Sequence, residues 1–159
     1  MGYTRNSDLS YYDSNFYDAN CGSYALRLNE WYELDSSFED VTGWFIDDWI
    51  IEKNEQGYSD YEISCLYTDI LTDCLLEEFS DELELCDGTL PKTNNIELIA
   101  FSTFCYCGKR NNTDFDFHFK VFRDGTWKEK CGTSKVKECK LEDWGDYISD
   151  VVYFYHKLI

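Results

Sequence analysis

The sequence predicts an α+β domain in which N-terminal helices pack on a C-terminal antiparallel sheet. Up to residue 86, apolar residues recur at the three- and four-residue spacing of amphipathic helices. After the turn at 86–91, which contains the single proline of the chain, the pattern changes to the alternation of half-buried strands. Since 159 residues suffice for one hydrophobic core, we expect a single domain over 1–159, with a helical half at about 20–86 and a sheet half at about 96–159.

Capping and stop signals locate the helices of the first half. The apolar spacing predicts helices at about 21–32, 38–53 and 59–79. Asn20 is a good N-cap for the first helix, and Ser59 precedes the third. The segment 54–57 ends in glycine and is a typical helix stop.

Alternation and turn residues locate the strands of the second half. The sequence predicts strands at 96–106, 115–122 and 126–130, with a closing strand within 147–158. Asp124-Gly125 is a strong two-residue turn signal, so we expect a hairpin over 115–130.

The charge of the chain limits its partners. There are 32 acidic and 14 basic residues, which gives a net charge of -18 at pH 7. A nucleic-acid ligand needs clustered Lys and Arg, so we expect no direct binding of nucleic acid. Anionic membranes are disfavoured for the same reason. An acidic surface can instead imitate nucleic acid and occupy a basic groove on another protein.

The sequence also predicts a cytoplasmic location. Its opening segment, 1–7, is polar, and no run of about 20 apolar residues follows, so neither a signal peptide nor a transmembrane segment is predicted. We therefore expect the eight cysteines to be reduced. Cys105, Cys107, Cys131 and Cys139 are potential zinc ligands, but a Cys-x-Cys pair on a strand is poorly spaced for zinc, and no metal site is predicted.

Cys21 is the candidate nucleophile because it stands at the start of the first predicted helix. A helix N-terminus carries about half a positive charge and free N–H groups, which favour thiolate and lower the pKa of a cysteine. The chain offers two imidazole partners, His118 and His156, and we favour His118 in the alternating run 115–122. Either residue taken alone is also compatible with a buried, purely structural role.

The order of these residues resembles that of a known family. The segments Asn20-Cys21-Gly22-Ser23-Tyr24-Ala25-Leu26, Asp116-Phe117-His118-Phe119 and Asp124-Gly125-Thr126-Trp127 look like those of small papain-like cysteine peptidases of bacteria and phages. They are similar in particular to cell-wall endopeptidases with a Cys-His-His triad. The resemblance covers roughly a third of the chain and implies a papain-like fold.

The resemblance also implies roles for individual residues. Cys21 would be the nucleophile, and His118 the base that takes its proton and returns it to the leaving group. Glu129, on the strand after His118, would orient the imidazole in place of the His or Asn usual in the family. Asp116, on the same face of the strand as His118, and Asp124 at the turn are alternatives for this role. The backbone N–H of Cys21 and the Asn15 amide would bind the oxyanion. The residues expected to line the site are Asn15, Asn20, Gly22 and Asp116.

Two functions from different classes follow from these observations. The first is a cysteine hydrolase that cleaves a peptide, isopeptide or amide bond through a thioester acyl-enzyme, without a cofactor. The alternative is a noncatalytic acidic protein, such as a phage-type inhibitor or nucleic-acid mimic that binds a basic host protein. The hydrolase depends on Cys21, whereas the mimic depends on the acidic face between Glu77 and Glu84.

Overall fold

The computed structural model describes residue 5 and residues 7–158. The prediction that there is no signal peptide depended on the opening segment 1–7. Most of that segment lies outside the described residues. The helices are α1 (Tyr11–Ser14), α2 (Cys21–Leu26), α3 (Asp35–Thr42), α4 (Ile46–Glu55) and α5 (Asp60–Glu78), with a 3-10 turn at Lys109–Asn111. The strands are β1 (Leu83–Cys86), β2 (Ile96–Cys107), β3 (Thr113–Arg123), β4 (Thr126–Lys130), β5 (Val136–Glu138) and β6 (Val152–Lys157). The predicted α+β class is confirmed.

All six strands form one antiparallel sheet in the order β1-β6-β2-β3-β4-β5. The predicted hairpin is present, with Asp124 and Gly125 at φ angles of 54° and 81° between β3 and β4. Two successive left-handed residues give the tight turn that matches the twist of a two-stranded ribbon. The hairpin therefore fixes which residues of β4 lie beside those of β3.

The predicted helices are partly corrected. The helix that begins at Cys21 ends at Leu26 instead of about residue 32, because Arg27 takes a left-handed conformation with φ of 59°. The helix predicted over 38–53 is two helices, since Gly43 ends α3 at φ of 75°. The third is confirmed as α5, which begins with a Ser59 capping box. Among the described helices, none has the length and apolar character to cross a membrane.

Two short strands were not predicted. Strand β1 lies inside the stretch assigned to the helical half, and β5 lies in a segment without a clear alternating pattern. Each has only three or four residues, and each is held by its neighbour: β1 by β6 from the end of the chain, and β5 by β4. The pairing of β1 is long-range, and a local sequence pattern does not reveal it. The pairing of β5 is local, but its three residues are too few to show an alternating pattern.

The sheet is covered on both faces by different parts of the chain. On one face, Phe101, Phe119 and Phe154 are buried against the helices. The other face carries Ser102, His118 and Lys120, and it is covered by residues 139–151, here called the covering segment. Ser102 Oγ donates to Ser149 O at 3.1 Å, and Lys120 Nζ donates to Lys140 O at 2.6 Å. The segment is thereby attached directly to the strands that it covers.

A buried ion cluster attaches α2 to the sheet. Glu97 on β2 accepts hydrogen bonds from Arg123 Nε at 2.7 Å and from Arg27 Nη2 at 2.8 Å. Arg123 also donates to the carbonyl oxygens of Tyr24 and Ala25 in the last turn of α2. Carbonyls in the last turn of a helix lack the i+4 partners of the helix interior, and Tyr24 O otherwise accepts a long hydrogen bond of 3.4 Å from the Arg27 N–H. The guanidinium adds donors to both carbonyls and opposes the negative end of the helix dipole.

The beginning of α2 is held equally firmly. The Asn20 side chain accepts from the Ser23 backbone N–H at 3.0 Å, and Ser23 Oγ accepts from the Asn20 N–H at 3.1 Å. The Asn20 amide also donates to Tyr32 O at 2.7 Å. The fully buried Lys130 of β4 donates to the carbonyl oxygen of Ala19, just before the helix. Cys21, the first residue of α2, is therefore fixed in space.

We expect Glu97→Gln to destabilise the protein by about 3–5 kcal/mol, because the buried Arg123 and Arg27 lose their counter-charge. Although burial raises the pKa of Glu97, hydrogen bonds from both arginines lower it to about 2, below the ordinary value of 4.5. The stabilisation is therefore complete above pH 4.5 and is lost as the pH falls towards 2. Urea unfolding at pH 7 and at pH 3 measures both effects.

The matched control is Glu84→Gln, at an exposed position of β1. We expect it to change the free energy of unfolding by less than about 0.5 kcal/mol. Equal losses for the two variants would show that the Glu97 cluster does not anchor α2.

Candidate functional site

A cavity of about 780 Å³ lies where α2, β3 and the covering segment meet. Five of the residues predicted for the site line it, namely Asn20, Cys21, Asp116, His118 and Glu129. Further lining residues come from the covering segment, including Trp144 and Tyr147.

Cys21 lies at the edge of β3 beyond the last residue of β4. Its Sγ is 3.8 Å from Phe117 O, and the side chain is 7 % exposed. Burial raises the pKa of the Cys21 thiol to about 12, against a smaller lowering by the Phe119 backbone N–H. The predicted lowering of this pKa by the helix N-terminus is therefore wrong for this conformation. The thiol is protonated and donates to the Phe117 carbonyl.

His118 is held in one orientation by a carboxylate and two aromatic rings. A 2.7 Å hydrogen bond joins His118 Nε2 to Glu129 Oε1. The imidazole stacks on Tyr147, with ring centroids 5.1 Å apart and an interplanar angle of 22°, and meets the Trp144 ring edge-on. Because Nε2 is bound to Glu129, Nδ1 is the nitrogen left for proton exchange.

Glu129 is ionised and lies between His118 and Lys137. The hydrogen bond from His118 lowers the pKa of its carboxyl, against the opposing effect of burial. Lys137 Nζ lies 3.7 Å from Glu129 Oε2. A carboxylate so placed can orient an imidazole and stabilise the imidazolium that forms when the ring accepts a proton.

Cys21 and His118 approach the cavity from different directions. Phe119 faces α2, so the alternation of β3 directs His118 to the opposite face, towards the covering segment. The cavity extends around the edge of β3 and includes both side chains. Within the described residues, no hydrogen bond joins Cys21 to His118. Transfer of a proton between them requires Cys21 to leave the Phe117 carbonyl.

The other predicted site residues have mixed positions. Asp116 accepts from the Tyr147 hydroxyl at 3.0 Å and links β3 to the covering segment. Asn15 is not among the residues that line the cavity, and its amide donates to Tyr11 O at 2.9 Å. Gly22 packs against the rings of Tyr32 and Phe119 rather than lining the cavity.

Cys131 was not placed at this site by the sequence analysis. Its Sγ, a ring nitrogen of His118 and a carboxylate oxygen of Glu129 all lie within 4.8 Å of one another. The two-residue turn at 124–125 fixes the register of the hairpin, and this register predicts the position of Cys131. In the hairpin Lys120 pairs with Glu129, and the same register continued by two residues places Cys131 opposite His118. All eight cysteines are free thiols.

Acidic side chains dominate the charged lining of the cavity. Besides Glu129, they are Glu33, Asp35, Asp116, Asp143 and Asp146, while Lys137 is the one lining lysine or arginine among the described residues. Burial, followed by the neighbouring carboxylates of Glu33 and Glu39, raises the pKa of Asp35. The cavity therefore favours a cationic ligand over an anionic one.

Comparison of the chain with protein-family models, with curated proteins and with solved structures found no match.

We expect Gly22→Ala to lower the free energy of unfolding by about 1–2 kcal/mol. A Cβ at this position would lie 2.8 Å from Tyr32 Cδ2, and the Tyr32 ring is fully buried. Overpacking costs about 1–3 kcal/mol, which exceeds the gain of about 1 kcal/mol from replacing a helical glycine. Thermal or urea unfolding measures the difference.

A double-mutant cycle with Tyr32→Leu isolates the cause. In the Tyr32→Leu background, the ring is gone and the loss caused by Gly22→Ala should become smaller, since only the contact with Phe119 Cε2 at 3.2 Å remains tight. If Gly22→Ala lowers the free energy of unfolding by the same amount in both backgrounds, the clash is not with Tyr32.

Proposed function

We propose that this protein is a cysteine hydrolase in which Cys21 is the nucleophile and the His118–Glu129 pair is the base. One observation carries the proposal: an imidazole with a 2.7 Å carboxylate partner shares a cavity with a thiol at the start of a helix. A nucleophile, a base and a residue that orients the base are the three groups that acyl transfer through a thioester needs. The bond cleaved would be a peptide, isopeptide or amide bond.

In the proposed reaction, His118 Nδ1 takes the proton of Cys21 as the sulfur attacks the substrate carbonyl. The proton then passes from His118 to the leaving amine when the carbon–nitrogen bond breaks, which leaves a thioester on Cys21. Water gives a proton to His118 and attacks the thioester, and the acid and the free thiol are released. As the first residue of α2, Cys21 has a backbone N–H without a helical partner, and this group can donate to the oxyanion.

Because the pKa of Cys21 is raised in the protein without substrate, the proposed reaction cannot begin from a thiolate that is already present. A thiol with a pKa near 12 is ionised to only about one part in 10⁵ at pH 7. The proposal therefore requires that a bound substrate bring Cys21 and His118 together, with the proton moving to the imidazole. Active-site hydrogen bonds of this kind often tighten only in the substrate complex.

The acidic lining indicates the substrate class within this proposal. Asp116 and Asp146 lie at the same cavity as Cys21 and His118, and Asp35 has a raised pKa in the field of its neighbours. A substrate with lysine or arginine side chains, or a free amine, near the scissile bond would be attracted there. Polyanionic substrates would be repelled.

The second candidate function is a noncatalytic acidic protein that binds a basic host protein. The raised pKa of Cys21 favours it, because a thiol that stays protonated is a poor nucleophile. The net charge of -18 also favours it. Glu77, Asp81 and Glu84 are exposed and would form part of the contact surface. In this case the cavity residues would be dispensable for binding.

The alkylation rate of Cys21 by iodoacetamide, followed by mass spectrometry from pH 5 to pH 9, tests the hydrolase. With a lysine-containing peptide amide bound, we expect Cys21 to react at least about tenfold faster than Cys74 near pH 7, and the advantage to disappear in His118→Ala. Without the peptide, the raised pKa of Cys21 should leave it no faster than Cys74. Cys74 is the matched thiol, since the two cysteines are 7 % and 6 % exposed. The measurement is made without metal ions and repeated with a lysine-containing peptide amide present.

His156→Ala is the matched histidine control, because His156 is also buried and has a carboxylate partner, Glu82, at 3.3 Å. It should leave the alkylation rate of Cys21 unchanged. If Cys21 reacts no faster than Cys74 even with the peptide present, the hydrolase proposal fails. A faster reaction at Cys131 instead would assign the nucleophile to that residue.

Binding of a fluorescent oligolysine peptide separates the two candidate functions. If the cavity binds cations, Asp116→Asn with Asp146→Asn should weaken binding at least about tenfold at low salt. If the outer acidic face is the binding surface, Glu77→Gln with Glu84→Gln should do so instead. Each double variant removes the same charge and is the control for the other.

A further inference from the structure

His118, Glu129 and Cys131 each direct a metal-ligating atom to the same part of the cavity. These three atoms lie within 4.8 Å of one another, and no other such group of His, Cys, Asp and Glu side chains occurs among the described residues. We propose that these three residues bind a zinc ion and leave a fourth coordination position open to the cavity. The proposal does not depend on the hydrolase activity of Cys21.

The donor set is the first argument for zinc. One imidazole nitrogen, one carboxylate oxygen and one thiolate sulfur are ligands that zinc accepts together, whereas magnesium and calcium prefer oxygen ligands alone. Three protein ligands with one open position are typical of catalytic zinc sites, where water or substrate takes the fourth position. The lining of the cavity by all three residues gives the ion a route of entry.

The distances need only small adjustments. Bonds of about 2.1 Å to nitrogen and oxygen and 2.3 Å to sulfur separate tetrahedral ligand atoms by about 3.4–3.6 Å. His118 Nε2 and Glu129 Oε1 are 2.7 Å apart, so they must separate by about 0.7 Å as the metal replaces the shared proton. Cys131 is exposed, so its side chain is free to close the remaining distance of at most about 1.2 Å.

Two of the ligands are already held in place. The His118 ring lies between Tyr147 and Trp144, and the backbone of Glu129 is paired in the hairpin with Lys120. A rigid set of ligands loses little conformational entropy when it binds a metal. His118 and Glu129 are therefore held in position before a metal binds. Cys131, just beyond the end of β4, supplies the third ligand.

Charge also favours a cation here. One neutral imidazole, one carboxylate and one thiolate would neutralise a zinc ion, and the remaining acids of the cavity add negative potential. Lys137 competes for Glu129, but its side chain is 61 % exposed and can move into solvent. Lys120, the other nearby cation, donates to the carbonyl oxygens of Lys140 and Asp143 and lies over the Trp144 ring.

Zinc binding and activation of Cys21 exclude each other. When Nε2 of a neutral imidazole binds a metal, the ring proton sits on Nδ1, which then cannot accept a proton from a thiol. If the hydrolase proposal holds, zinc would therefore slow the alkylation of Cys21. The zinc site itself is tested without that reaction.

The experiment is titration of the reduced full chain with cobalt(II), which reports coordination through its absorption spectrum. We expect one cobalt per chain, a thiolate-to-cobalt charge-transfer band and the intense visible bands of four-coordinate cobalt, all removed by zinc. Cys131→Ser should abolish the charge-transfer band, and Glu129→Gln should weaken affinity at least about tenfold. Circular dichroism checks that both variants fold.

Cys86→Ser is the matched control, since Cys86 is a half-buried strand cysteine on β1 at the opposite end of the sheet. It should leave the spectrum unchanged. The proposal is overturned if the wild type gives no charge-transfer band, or if the band survives in Cys131→Ser. Loss of the band in Cys139→Ser but not in Cys131→Ser would also overturn it. None of these readouts involves Cys21, so their failure leaves the hydrolase proposal intact.

Discussion

The attachment of α2 to the sheet by buried cations is the constraint on which the site depends. Arg123 binds both Glu97 and the last carbonyls of α2, while Lys130 binds the carbonyl of Ala19 just before the helix. A helix of six residues is too short to be stable by itself. Its position is therefore set by ion pairs and hydrogen bonds to the hairpin, and both cations come from the strands that carry His118 and Glu129.

Burial explains why Cys21 differs from a typical activated thiol. The helix N-terminus favours a negative charge by at most about 2 kcal/mol. A rise of the pKa from 9.0 to about 12 corresponds to about 4 kcal/mol in favour of the neutral thiol. Burial therefore dominates, and a sequence motif at a helix start does not by itself produce a thiolate.

The two roles proposed for the His118–Glu129 pair use the same atoms. As a base, His118 keeps Nε2 on Glu129 and offers Nδ1 to a thiol; as a zinc ligand, it gives Nε2 to the metal. An imidazole has only two nitrogens, so both uses cannot occur at once. The acidic lining favours either a cationic substrate or a metal ion, and it makes the cavity unsuitable for polyanions.

The sequence by itself determined the elements that local rules control. The Asn20 cap placed Cys21 at a helix start, and the turn at Asp124-Gly125 set the register that brings Glu129 and Cys131 beside His118. Glu129 was predicted as the partner of His118, and the hydrogen bond is present. The same register also places Cys131 opposite His118.

Only the tertiary structure decided what depends on distant segments. The early end of α2 at Arg27, the pairing of β1 with the end of the chain and the covering of His118 by residues 139–151 all join parts far apart in sequence. The protonated state of Cys21 was decided in the same way. Capping and turn preferences act over a few residues, whereas burial and its effect on a pKa depend on every chain segment that packs around the group.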